Sequence, residues 1–292
     1  ALSGGIGGAK LALGLQHVLP PGALTVIANT GDDFEHLGLT ICPDLDTLLY
    51  TLSGRDDAER GWGRTQESWH CMEALGELGG ETWFRLGDRD LATHLLRSMR
   101  LRAGEKLAAV MADFCTRLGI ASRLLPMSND PVRTRVRTDA GWIDFQPWFV
   151  GQQAMPAVHE LVFAGAATAR PQPDVLAALD EASLVVICPS NPFISIGPLL
   201  AMPWLDAALR ACRAPVIAVS PIIAGQAVKG PTARMLAGFG HAVSATGVAR
   251  HYGALLDGYV VDVQDADAAA ELAPLPVTAA PSFMRTLDDR IA

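Results

Sequence analysis

Four short apolar runs constrain the fold of this chain more than any other feature: Leu24–Ala28, Leu184–Cys188, Pro215–Val219 and Tyr259–Val263. Each is continuous rather than alternating and rich in β-branched residues, the pattern of a strand covered on both faces. Helical patterns accompany them, Lys10–Leu19 before the first and Ile196–Cys212 and Thr232–Phe239 after later ones. Strand, loop, helix, strand predicts an α/β fold, a Rossmann-like core with a parallel sheet and right-handed crossovers. The core is expected over about 1–64 and 120–292. Between them, about 65–119, the pattern changes to long helices such as Asp90–Arg100 and Glu105–Leu118, read as a helical insertion. Val132–Thr138 and Trp142–Val150 flank Asp139-Ala-Gly and alternate, which predicts a β-hairpin at the sheet edge or at a dimer contact. No Ser/Gly linker parts these pieces, so residues 1–292 are expected to form a single domain with a subdomain.

Charge narrows the function. With 23 Lys and Arg against 31 Asp and Glu the net charge is −8, and no basic run is present. Nucleic acid and anionic membranes are therefore not expected partners. Any phosphate must be held by glycine loops, a few cations or a metal. The most extended uncharged run, Ala182–Leu205, carries Pro189, Pro192, Pro198 and Pro203 and cannot be a membrane helix. The five cysteines show no metal spacing and read as reduced, buried thiols. The opening Ala-Leu-Ser-Gly-Gly has neither a basic nor an apolar leader region, and it meets a glycine cluster at once. A cytoplasmic protein with a first strand cut short is the expectation.

Five segments can carry chemistry. Ser3-Gly-Gly-Ile-Gly-Gly-Ala-Lys10 precedes a helix, where backbone N–H groups and the helix field favour an anion. Gly4, Gly5, Gly7, Gly8 and Lys10 are thus candidate phosphate or nucleotide ligands. Two common fingerprints fail, because Ala9 and Leu11 break the Walker A pattern and Lys10 breaks the dinucleotide one. Asn29-Thr-Gly-Asp-Asp33 follows a strand directly, and paired acids at a strand end suit Mg²⁺. In Cys42-Pro-Asp-Leu-Asp-Thr47, Asp44 can be a helix N-cap and Asp46 can favour the helix dipole, a role worth roughly 0.3–1 kcal/mol. Asp32, Asp33, Asp44 and Asp46 nevertheless concentrate acids at two loop ends, which raises the metal or substrate reading. Arg85 and Arg89, in Phe84-Arg-Leu-Gly-Asp-Arg-Asp90, can clamp phosphate or stack on a flat ring. Ser190 and Asn191 follow a buried strand, and Lys229 and Gly230 sit where a helix begins, both apt for an anion. The histidines show no paired spacing, and only His36 lies near the acids.

Seven strings recur in the order of one family: Gly4-Gly-Ile-Gly-Gly-Ala-Lys10, Asn29-Thr-Gly-Asp-Asp33, Pro43-Asp-Leu-Asp-Thr47, Leu86-Gly-Asp-Arg-Asp90, Pro126-Met-Ser-Asn-Asp-Pro131, Pro189-Ser-Asn-Pro-Phe193 and Lys229-Gly-Pro-Thr232. The chain closely resembles the CofD/FbiA family, the 2-phospho-L-lactate transferases of coenzyme F-420 biosynthesis, from about Leu2 to Asp265. The resemblance implies transfer of a phosphorylated three-carbon acid (phospholactyl, phosphoenolpyruvyl or phosphoglyceryl) from a guanosine diphosphate-linked donor to the deazaflavin FO. The ribityl hydroxyl of FO attacks phosphorus, GMP leaves, and Mg²⁺ is required. It implies a Rossmann-like homodimer with FO contacts at Asp46 and Arg85. On this reading Asp46 and Asp44 are catalytic, and Asp32, Asp33 and Asp44 hold the metal. Which acid binds metal and which handles the proton stays open, as does the identity of the transferred acid. The alternative is a nucleotide-sugar-binding regulator of the YvcK-like type, which resembles this chain at the glycine loop. Those proteins carry a Gly- and Ser-rich string after the paired Asp, where this chain has Phe-Glu-His-Leu-Gly.

Overall fold

The computed structural model describes residues 1–292. The chain begins with strand β1 (Leu2–Ser3), helix α1 (Gly5–Val18), β2 (Thr25–Ala28), a small hairpin of β3 (Phe34–His36) and β4 (Leu39–Ile41), and α2 (Pro43–Leu52). Helices α3 (His70–Glu77), α4 (Asp88–Arg102) and α5 (Leu107–Arg117) follow, then β5 (Arg123–Pro126). Next come β6 (Arg133–Thr138), β7 (Gly141–Asp144), β8 (Glu160–Ala164), α6 (Pro173–Asp180) and β9 (Val185–Ile187). The remainder is α7 (Gly197–Leu200), α8 (Pro203–Ala211), β10 (Val216–Val219), β11 (Ile222–Ile223), β12 (Gln226–Ala227), α9 (Thr232–Gly238), α10 (Ala245–Tyr252), β13 (Gly258–Val261), α11 (Ala268–Glu271), β14 (Val277–Ala279) and α12 (Leu287–Ile291).

The central sheet has seven strands in the order β14-β13-β10-β9-β1-β2-β5. Every pairing in it is parallel. From β1 the chain steps outward through β2 to β5, then returns to β9 on the other side of β1 and runs outward again. Strand order therefore reverses between β1 and β9, where a crevice opens at the carboxyl ends of a doubly wound sheet.

All four apolar runs are strands of this sheet, as their two-sided burial requires. Val26, Ala28 and Leu124 pack with α1, α2 and α5 on one face. Leu2, Ile27 and Leu125 join a larger core on the other face with α7, α8 and α10. The expected hairpin is β6–β7, with Val136 opposite Ile143, but its second strand stops at Asp144, Pro147–Gly151 turn into a π-helical segment, and the hairpin belongs to a separate sheet rather than to the edge of the central one. A further strand, β8, pairs with the other edge of β6 and completes a small antiparallel sheet.

Two helix readings change. α1 starts at Gly5, not Lys10, so most of the glycine string is the first turns of a helix rather than a loop. Ile196–Cys212 is not one helix. A π-helical turn (Pro192–Ile196) leads into α7, and the chain bends by 87° before α8, where Pro203 cannot continue the helix ahead of it. No single helix is long and apolar enough to cross a membrane. The cysteines are unpaired, and Cys71 lies exposed on α3 rather than buried.

Candidate active site

A cavity of about 800 Å³ occupies the crevice between β1 and β9. Gly4 and Ser190 close its floor. Ser190 Oγ donates to the Gly4 carbonyl at 2.7 Å and accepts from Gly4 N at 3.2 Å. A side chain on Gly7 would place Cβ 2.5 Å from the Pro189 carbonyl oxygen, so only glycine lets α1 approach the β9 loop this closely. Gly5 has φ +64°, the left-handed turn that swings the chain from β1 into the helix.

Asp44 does not cap its own helix, whose N-cap is Cys42. Its carboxylate sits instead at the start of α1, accepting from Gly5 N at 2.5 Å and from Asn29 Nδ2 at 2.9 Å. The same Asn29 amide reaches Asp32 Oδ1 at 3.3 Å. Burial pushes Asp44 up to about 6 despite its bonds from Asn29 and Gly5. Burial, followed by the charges of Asp44 and Asp33, pushes Asp32 well above the usual carboxylate range. Two buried acids sharing one amide form a site short of positive charge. A hard divalent cation suits it, since Mg²⁺ takes one or two carboxylates and completes its shell with water and phosphate oxygens. No group of three His, Cys, Asp or Glu side chains stands ready to hold a metal unaided.

Asp46, two residues on and so roughly on the other side of α2, faces a different partner. Arg97 of α4 donates to it from both ends of its guanidinium, at 2.6 and 2.9 Å. Arg97 is fully buried and also donates to the Thr40 carbonyl and approaches His94 Nδ1 at 2.7 Å. His94 Nε2 lies 3.2 Å from Asp90, to which Tyr50 donates its hydroxyl proton. Burial works to raise the Asp90 pKa, but the close approach of His94 and the bond from Tyr50 outweigh it and leave the carboxyl below its ordinary value. Asp46, Tyr50, Asp90 and His94 all line the cavity.

Another part of the lining is aromatic. Trp83, Phe84, Phe145 and Phe149 line it, the last two stacked at 5.2 Å, whereas Trp62 enters the cavity beside Lys229, whose Nζ would lie 2.8 Å from a Cβ on Gly61. Arg85 is exposed beside them, its guanidinium 4.3 Å from the centroid of the Trp69 ring. It does not pair with Asp88, which instead accepts from Ser68 Oγ and from the backbone N–H groups of His70 and Cys71. The opposite wall carries Lys10, Ser190, Asn191, Lys229 and Gly230. Asn191 Oδ1 caps the π-helical turn, accepting from Phe193 N and Ile194 N. Lys10 Nζ donates to the Met284 carbonyl at 2.8 Å. Burial, with Arg290 and Lys229 nearby, draws the Lys10 pKa down.

The crevice thus gathers Gly4, Gly5, Gly7 and Lys10, the acids Asp32, Asp44 and Asp46, and Arg85, Ser190, Asn191, Lys229 and Gly230. Three candidate residues do not reach it, and one of them, Arg89, lies exposed with its guanidinium donating to Gln66 Oε1 at 3.1 Å. Gly8 packs against the hydroxyls of Ser3 and Ser190 inside the helix–strand contact. Asp33 leaves the turn on the other side from Asp32 and lines a separate pocket of about 190 Å³ with Ser128, Asp130 and Arg133. Burial pushes Asp33 up to about 7. The sequence reading missed Asn29 as a bridge, the Arg97–His94–Asp90 group, and Ser282–Met284, which also line the cavity. Asn29 stood in a quoted motif, but nothing in an ordinary-looking helix singled out Arg97.

Comparison with known proteins gives the family. The model of the family "2-phospho-L-lactate transferase CofD" matches residues 1–274. A phosphoenolpyruvate transferase of Streptomyces griseus is 44% identical over 98% of this chain and 93% of its own length. One from Kitasatospora aureofaciens is 45% identical over 99% and 92%, and one from Mycobacterium marinum 46% over 87% and 82%. A UPF0052-family protein from Bacillus halodurans shares the fold, with a TM-score of 0.61 at 17% identity over 96% of this chain and 86% of its own. The chain belongs to the CofD family, the transferases of coenzyme F-420 biosynthesis.

Proposed function

We propose that this protein transfers a phosphoenolpyruvyl group from a guanosine diphosphate-linked donor to the deazaflavin FO, with release of GMP and with Mg²⁺ as cofactor. One observation carries the reading. A single cavity joins a wall of helix N–H groups and lysines to a wall of flat aromatic side chains, and the buried acids lie between them. A diphosphate suits the first wall and a tricyclic ring the second. The name borne by relatives at 42–46% identity supports phosphoenolpyruvate as the acid.

Phosphoryl transfer passes through a loose transition state, so the protein acts by positioning and by balancing charge. The terminal ribityl hydroxyl of FO attacks the phosphorus that bears the acid. The bond from that phosphorus to the bridging oxygen breaks, GMP carries away the electron pair, and a phosphodiester remains. Asp46 accepts the hydrogen bond of the attacking hydroxyl, takes its proton as the new phosphorus–oxygen bond forms and passes it on to solvent, and Arg97 fixes the direction from which Asp46 does so. Lys10 and Lys229 face the phosphates of the donor. Asp32 and Asp44 would hold Mg²⁺, which supplies the positive charge that an acidic cavity lacks. A cytoplasmic homodimer accompanies this reading, with exposed apolar residues Trp142 and Val162 on the small sheet available for a self-contact.

The test is direct. The protein is incubated with FO, Mg²⁺ and each guanylylated acid in parallel, and GMP and product mass are followed. The reading expects GMP and the phosphoenolpyruvyl product. No GMP from any donor, with nucleotide-sugar binding retained, favours the regulator reading instead.

A further inference from the structure

We propose that the segment from Ser282 to Arg290 forms the base-facing wall of the nucleotide half of the cavity, with Phe283 as the surface on which the purine stacks. The proposal rests on the donor reading above and names a part of the site that the family match, ending at residue 274, does not include.

The segment is fixed at both ends. At one, the buried Asp262 carboxylate, which follows β13, accepts from Ser282 N at 3.0 Å and from Ser282 Oγ at 3.2 Å. At the other, α12 lies so close to α1 that any side chain on Gly14 would collide with the Arg290 carbonyl. Between these anchors Ser282, Phe283 and Met284 face the cavity. The Met284 carbonyl holds the Lys10 ammonium, so the segment is joined to the cation assigned to the phosphates. Phe283 is the residue before Met284. It is 43% exposed, and the Arg285 guanidinium covers one face of its ring at 4.5 Å from the centroid. An aromatic ring with one face backed by a cation and the other open offers a stacking surface for a flat heterocycle. A nucleotide with its phosphates near Lys10 has its base one ribose away, within the span of this segment. FO has its own aromatic wall in the cavity.

The experiment measures binding of GDP, of pyrophosphate as a probe without a base, and of FO, each with Mg²⁺, to the full chain and to Phe283→Ala. The expected result is GDP affinity about 5- to 150-fold weaker in the variant, the range of base–aromatic stacking, with pyrophosphate affinity, FO affinity and melting temperature unchanged. GDP affinity of Phe283→Ala within twofold of the parent overturns the proposal, as does an equal loss for pyrophosphate or a loss for FO instead. A parent protein that binds no GDP overturns the donor reading itself, and the proposal with it.

Discussion

Arg97 meets Asp46 fork to fork in the interior, Nη1 to Oδ1 at 2.6 Å and Nη2 to Oδ2 at 2.9 Å, and the guanidinium has no exposed surface. This replaces the surface helix-dipole role open to Asp46 from sequence. Losing one partner leaves the other charged and dry, a change worth about 3–5 kcal/mol, whereas losing both can be nearly neutral. Asp46→Ala and Arg97→Met are each expected to lower the unfolding free energy by that amount in a denaturant titration. The double variant should recover much of the loss. Single variants that stay within about 1 kcal/mol of the parent would show that the pair is not structural.

The difference between what was legible in the sequence and what was not follows from range. Leu24–Ala28 and Tyr259–Val263 read as strands because two-sided burial leaves a local, continuous apolar run. Asp32, Asp44 and Asp46 read as a site because strand and helix ends concentrate them within a short stretch. The start of α1 at Gly5 was hidden because glycine is a poor helix former, and here the helix is anchored from outside by Asp44. β8 was hidden because its residues are half exposed and its partner β6 lies well before it in the chain. Arg97, His94 and Asp90 look like ordinary charges on an amphipathic helix, and only the packing of α4 against β4 and α2 turns them inward.

Asp33 gives a pH signature separate from the cavity. Its pKa lies at about 7 in the folded protein, above the unfolded value, so the folded state binds the proton more tightly. Stability from this group is therefore full near pH 4 and is lost as pH rises towards 7. Asp33→Asn should remove that slope. Its melting temperature is expected to exceed the parent's at pH 8, by a margin equivalent to roughly 2–4 kcal/mol, and to match it at pH 4. Parallel curves for the two proteins would show that Asp33 is not buried as a proton-binding acid.

Asp32→Asn separates turnover from folding. The side chain contributes little to stability because burial and two neighbouring carboxylates oppose its charge. The variant is expected to melt at or above the parent temperature, yet to release GMP at least 100-fold more slowly at saturating Mg²⁺. Loss of one carboxylate should also raise the Mg²⁺ concentration needed for half-maximal rate. Equal rates in mutant and parent would remove Asp32 from the metal site.

Gly7→Ala tests the crevice floor. The added Cβ lies 2.5 Å from the Pro189 carbonyl oxygen, and both are backbone-fixed, so α1 and the β9 loop must separate. Overpacking of this kind costs about 1–3 kcal/mol. The expected outcome is a lower melting temperature together with weaker GDP binding, because Ser190 and Asn191 ride on the displaced loop. A variant that melts lower but binds GDP normally would place the nucleotide away from this floor.

Arg85 should distinguish the two ends of the cavity. It is exposed, stacks on Trp69 and makes no ion pair with Asp88, so removing it should leave the melting temperature unchanged. The Trp69 contact also holds the guanidinium beside the aromatic wall, where a flat ring or its carbonyl can meet it. A charge-assisted contact to FO lost from this position costs about 1.5–3 kcal/mol, or roughly 10- to 150-fold in binding. Arg85→Ala is therefore expected to raise the KM for FO by that factor and to leave GDP affinity as it was. Arg85→Lys should recover only part, since an ammonium keeps the charge but cannot stack as a plane. The opposite pattern, weakened GDP and unchanged FO, would reverse the two ends: the aromatic wall would then serve the nucleotide, and the wall of Lys10 and Lys229 the acceptor.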